Sequence, residues 1–173
     1  MPKINKVVNL GQSASKSVVS TLLILILGGW MTGFYMPVPP IDTKAIEWQV
    51  LKQTNDYRRS IRLKKLKRVP NLDGIARRHA EDMATKRKPF SHAGFKQRLK
   101  AAGKGLGRAY HFAENLYTCT YSSGFVAEIA TRSWIDSPGH HRNLKGDFEY
   151  TGIGVARARN GEYYVVQVFL HLK

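Results

Sequence analysis

An Asn160-Gly161 pair between two strand-like runs, close to the end of this chain, constrains the fold more than any other stretch. The first run is Thr151-Gly-Ile-Gly-Val-Ala-Arg-Ala-Arg, and the second is Glu162-Tyr-Tyr-Val-Val-Gln-Val-Phe-Leu-His-Leu. Tight hairpin turns need positive φ, which Asn and Gly adopt at low cost, so the pattern predicts a β-hairpin. The second run is apolar at successive positions rather than alternate ones. That predicts an interior strand covered on both faces, with the preceding helices as its cover.

Those helices are legible by their spacing. Residues 41–62 read as a helix, with Ile46, Val50, Leu51 and Tyr57 near helical spacing and Asp42-Thr43 as its start. Residues 72–87 read as a second, whose apolar face is Leu72, Ile75, Ala76, His79, Ala80 and Met83. Lys88 to His92 reads as a loop, residues 94–102 as a short helix closed by Gly103, and residues 104–111 as a Gly-rich basic loop. Residues 125–136 read as an amphipathic helix burying Val126, Ile129, Ala130, Ser133 and Trp134, with Ser137-Pro138-Gly139 ending it. Helices first and a double-sided hairpin last imply an α+β domain.

The chain is divided at about residue 40. Residues 1–17 are polar and basic, and from Val18 to Met36 no residue is charged. As a helix, that run matches a hydrocarbon thickness of roughly 30 Å. A cleaved signal peptide and an uncleaved signal anchor both fit; Trp30, Phe34 and Tyr35 at the far end and the lack of an A-x-A-like site favour the anchor. Pro37-Val38-Pro39-Pro40 reads as a stiff spacer. Residues 1–40 are thus expected to be a targeting or anchoring segment that takes residues 41–173 across a membrane to a secreted, periplasmic or cell-surface location. With one cysteine, Cys119, no intrachain disulfide can form. The net charge of +16 favours an anionic partner, such as acidic lipid or an envelope polymer. No nucleic-acid-binding motif accompanies the basic residues, so no nucleic-acid partner is expected.

Several segments, in order, resemble the CAP family (the cysteine-rich secretory, antigen 5 and pathogenesis-related 1 group). Residues 51–72 look like its opening helix and loop, and Ala76-Arg-Arg-His-Ala-Glu-Asp-Met-Ala84 like its second helix. Phe90-Ser-His92 looks like the loop bearing its first histidine, and Ala113-Glu-Asn115 like its Glu-Asn motif. Trp134-Ile-Asp-Ser-Pro-Gly-His140-His-Arg-Asn143 is similar to the bacterial form of the second histidine motif, and the hairpin matches the family's last two strands. The resemblance covers nearly all of 45–172. It implies an α-β-α sandwich with a central, mainly antiparallel sheet between helical layers. The chain is expected to be a monomer.

The resemblance also implies a cleft with two His and two Glu. His92 and His140 take the histidine positions and Glu114 the first glutamate. The second glutamate position holds Ser137, so the set is incomplete. Carried over, His92, Glu114 and His140 are ligand-binding residues, and His92 and His140 are the pair that would hold a divalent metal such as zinc. Glu114 would either add a carboxylate or orient an imidazole. His79 is expected to be a core histidine, His141 peripheral, and Asn115 and Asn143 structural amides. The expected function is a non-enzymatic extracytoplasmic binding module for a metal or a lipid or envelope ligand. The alternative is a metal-dependent hydrolase, a peptidase, using the same cleft.

Overall fold

The computed structural model describes residues 41–104, 106 and 109–173. The hydrophobic segment and spacer of residues 1–40 lie outside the described residues, among which no helix is long and apolar enough to cross a membrane.

Among the described residues, nine elements follow in chain order. Helix α1 spans Thr43–Ser60, strand β1 Lys67–Arg68, α2 Pro70–Ala84 and α3 Phe95–Ala102. Strand β2 spans Ala109–Cys119, α4 Ser123–Asp136 and α5 Pro138–Lys145. Strands β3, Tyr150–Arg157, and β4, Tyr163–Leu172, complete the chain. Helix α1 begins where expected because the Asp42 carboxylate accepts from the free N–H groups of Lys44 and Ala45, at 2.9 and 3.2 Å.

The strands form one sheet in the order β1-β3-β4-β2. The short β1 is parallel to β3, and the other pairings are antiparallel. The β3–β4 hairpin forms as predicted, but over a longer connection, residues 158–162, in which Gly161 takes φ +91° and Asn160 does not take a positive φ. Strand β4 is interior, and its residues from Tyr163 to Leu170 are all buried. Its alternation supplies two cores. Tyr163, Val165 and Phe169 pack with α1 and α4 residues including Val50, Ala130 and Trp134. Tyr164, Val166, Val168 and Leu170 pack with the predicted face of α2. The sheet is therefore sandwiched between helices, in an α+β architecture. On the α2 side the approach is so close that a Cβ on Gly152 would stand 2.1 Å from the Leu72 carbonyl carbon, and one on Gly154 2.2 Å from the Arg77 nitrogen. The Thr-Gly-Ile-Gly stretch is what allows this contact.

Three local readings change. Residues 109–119 form a strand, where the basic loop was expected to run to residue 111. Strand β2 lacks a clean hydrophobic alternation because its centre carries Glu114 and Asn115, both buried. Ser137-Pro138-Gly139 ends α4 but also starts α5, since a proline at the first helical position gives up only an N–H that would have no intrahelical partner. The faces of α4 shift slightly: Ala127 and Thr131 are buried with Val126, Ala130 and Trp134, and Ile129 and Ser133 are half-buried.

Candidate functional site

Glu114 lies at the middle of β2, and its side chain is completely removed from solvent. A carboxylate in that setting must be neutralised and fully hydrogen-bonded. Arg98, on α3, does most of this. Its Nε donates to Glu114 Oε2 at 2.6 Å and its Nη2 to Oε1 at 2.7 Å, a two-pronged pairing. Glu114 Oε1 also accepts from His92 Nδ1 at 2.8 Å. A carboxylate can only accept here, so Nδ1 of His92 carries a proton, and in the neutral ring the lone pair is on Nε2. The His92 side chain is 52% exposed, which leaves Nε2 open to a ligand.

The loop that carries His92 is held from two sides. Arg98 donates through Nη1 to the Ala93 carbonyl at 2.9 Å and through Nη2 to the His92 carbonyl at 3.3 Å. His79, on α2, donates from Nε2 to the Ser91 carbonyl at 3.0 Å. His79 is buried, as expected of a core histidine, and its Nδ1 has no hydrogen-bond partner. Burial, reinforced by the charge of Arg98, holds its pKa below the usual histidine range, so it stays neutral.

His140 occupies the first turn of α5, which two asparagines pin to β2. Asn115 donates to the His140 carbonyl at 3.2 Å, and Asn143 donates to Asn115 Oδ1 at 2.8 Å and to the Glu114 carbonyl at 3.3 Å. Both amides thus satisfy backbone, as the sequence suggested. Trp134 reaches the same strand from α4, donating to the Leu116 carbonyl at 3.0 Å. His140 is half-buried, and burial, followed by the field of His92, lowers its pKa. The two imidazoles are therefore near enough for a proton on one to oppose a proton on the other. His141 turns away and hydrogen-bonds the Tyr57 hydroxyl through Nε2.

The structure brings His92 and Glu114 into direct contact and His140 into their electrostatic neighbourhood. The Glu114 carboxylate accepts from His92 and pairs with Arg98, with both oxygens engaged. Among the described residues no group of three His, Cys, Asp or Glu side chains could hold a metal ion. Glu114 stands one hydrogen bond behind the His92 ring, an arrangement that fixes the orientation of an imidazole. Ser137 is half-buried between α4 and α5 and its side chain caps neither helix.

Arg98 was missed in the sequence because it sits in a basic stretch that reads as a solvated surface. A signal was present: Phe95, Arg98, Leu99 and Ala102 follow i, i+3, i+4, i+7 spacing, which places an arginine on the inward stripe of α3.

The wider molecule has known counterparts. An outer surface protein of Borrelia burgdorferi superposes with a TM-score of 0.63 at 20% identity, over 77% of this chain and 97% of that one. An extracellular protein of Bacillus anthracis that contains an SCP domain matches with a TM-score of 0.57 at 25% identity, over 74% of this chain and 41% of its own length. A cysteine-rich secretory protein of Staphylococcus aureus gives 0.59 at 22% identity, over 76% and 40%. This chain thus spans nearly all of the Borrelia protein and about two-fifths of the other two. No curated protein sequence matches it. The sequence profile of the cysteine-rich secretory protein (CAP) family matches residues 51–169, which hold the Arg98–Glu114–His92 assembly, His140 and the hairpin, and the chain belongs to that family.

Proposed function

We propose that this protein is an extracytoplasmic, monomeric binding module that does not turn over its ligand, and that the ligand is taken by the His92 and His140 imidazoles. One observation carries the reading: both Glu114 oxygens are engaged by Arg98 and His92 in a solvent-free position. A carboxylate base or ligand that activates water must have a free oxygen facing the site. Glu114 is instead paired inside the fold, and position 137, where the family places a second glutamate, is a serine. A divalent ion such as zinc is the simplest ligand, held by His92 Nε2 and His140; bound there, it would supply a Lewis acid centre. The lowered pKa of His140 keeps that imidazole neutral and able to ligate near pH 7. The extracytoplasmic placement is supported by the uncharged run from Val18 to Met36 and by the extracellular and surface descriptions of the similar proteins.

Calorimetric titration of zinc into the full-length protein tests this beside the His92→Ala/His140→Ala variant. Saturable binding near one equivalent is expected, and is lost in the variant while the circular dichroism spectrum is retained. Equal binding by both proteins would remove the site. Hydrolysis of a peptide or ester that disappears with His140→Ala would instead establish the metal-dependent hydrolase.

A further inference from the structure

The C-terminal end of α1, the loop after it and the segment joining α5 to β3 enclose a cavity of about 690 Å³. This falls within the usual range of ligand sites, about 300–1,000 Å³. None of His92, Glu114 and His140 lines it. Its lining carries six cationic side chains: Arg58, Arg62, Lys64, Lys65, Lys67 and Lys145.

Arg58 has a different task from the other five. It is buried, and its guanidinium is spent on backbone: Nε donates to the Lys64 carbonyl at 2.9 Å, Nη1 to those of Leu144 and Gly146 at 2.8 and 2.9 Å, and Nη2 to that of Phe148 at 3.3 Å. These bonds tie the loop after α1 to the segment after α5, so the two walls of the cavity are fixed relative to each other. The remaining five cations are all exposed, and none forms an ion pair among the described residues. Lys65 lies in the field of Asp56, but that carboxylate is already bonded to Lys52 and Arg59. Two carboxylates, Asp147 and Glu149, also line the cavity. Asp147 acts on the buried Arg58 charge, and Glu149 approaches His171 Nδ1 at 3.8 Å.

Five exposed cations outnumber the two carboxylates of this concave space, which is left net positive and favours a multivalent anion. Four of the five are lysines. An ammonium is a point charge with no fork to match a planar carboxylate, and it suits phosphate oxygens at varied spacing. The concavity fits a chain laid between two walls better than a flat bilayer surface. The cavity also lies at the opposite end of α1 from Asp42, where the chain enters the domain; the helix has 18 residues, or about 27 Å. We propose that this cavity binds a linear, phosphate-bearing polyanion, separately from the imidazole site.

The test is titration of short-chain inorganic polyphosphate into the full-length protein over a series of salt concentrations. Lys64→Gln/Lys145→Gln removes one exposed charge from each wall. Lys86→Gln/Arg159→Gln removes the same charge from a second basic cavity, of about 510 Å³, and serves as the control. The wall variant is expected to bind about tenfold or more weakly. Its log K against log salt slope should be shallower by about 1.4, at roughly 0.7 per phosphate contact. The control should stay within about twofold of the parent. Equal loss in both variants would reduce the effect to net charge and overturn the proposal. So would equal binding of polyglutamate of matched charge, or a preference for phosphatidylglycerol vesicles over polyphosphate.

Discussion

Arg98 joins three things with one side chain: the buried Glu114 carboxylate, the His92 carbonyl and the Ala93 carbonyl. Removing one partner of a buried pair leaves the other charge uncompensated, which costs about 3–5 kcal/mol. Arg98→Met is therefore expected to lower stability by about that amount in urea denaturation. Arg98→Lys should restore only part of it, because an ammonium cannot serve both carboxylate oxygens and two carbonyls at once. If His92 and His140 hold zinc, Arg98→Lys should also weaken zinc binding by about 10- to 100-fold, the range found when a group that orients a ligand is lost. A lysine variant with unchanged zinc affinity would show that Arg98 supports only the fold. None of this could be read from charge alone: Arg58, Arg68 and Arg98 stand in basic stretches, yet each is buried or nearly so and bonded to carboxylates or backbone.

At the level of elements, the contact between α2 and β3 is set by two glycines. A methyl group at residue 154 would fall within 2.5 Å of three backbone atoms of α2, which cannot turn aside as a side chain can. Gly154→Ala should cost about 3 kcal/mol or more by forcing the helix off the sheet. Urea denaturation checks this, and a loss under about 1 kcal/mol would mean that α2 moves freely. The hairpin, α1, α2 and α4 were legible because hydrophobic period and turn chemistry agree in them. Strand β2 and helix α5 were not, and both carry the site. Glu114 and Asn115 interrupt the alternation of β2, and Pro138 is a helix breaker in the interior but a helix starter at the first position. The residues at the site obscure the local pattern by being polar where the fold alone would ask for apolar ones. His92, Glu114 and His140 were singled out by family resemblance; the pairing of Glu114 with Arg98 and His92 is visible only in its three short hydrogen bonds.

For the whole molecule, the depressed histidines make stability depend on pH. His79 is held neutral in the folded state by burial and by Arg98, whereas in the unfolded chain it takes up a proton near its ordinary value of 6.5. The unfolded state therefore binds more protons below that value, and stability rises with pH through the window. The contribution is fully present above about pH 6.5 and is lost as pH falls from there through the folded-state pKa. His140, shifted in the same direction, adds to the slope. Unfolding free energies measured across this range should flatten in His79→Gln, which keeps a donor for the Ser91 carbonyl without a titrating ring. An unchanged slope would assign the acid sensitivity to other groups.

The central strand also acts as a ruler. Because β4 sends alternate residues into two different cores, sliding it by one position would exchange their contents. Gln167, which now accepts from Thr54 and donates to Thr151, would then face the all-apolar layer against α2. A single-residue insertion or deletion between Arg157 and Tyr163 that passed into the strand would therefore be an error read at every position along it, and the turn has little slack to absorb one, because Ala158 is buried and Glu162 is bonded to Thr118 and Tyr164.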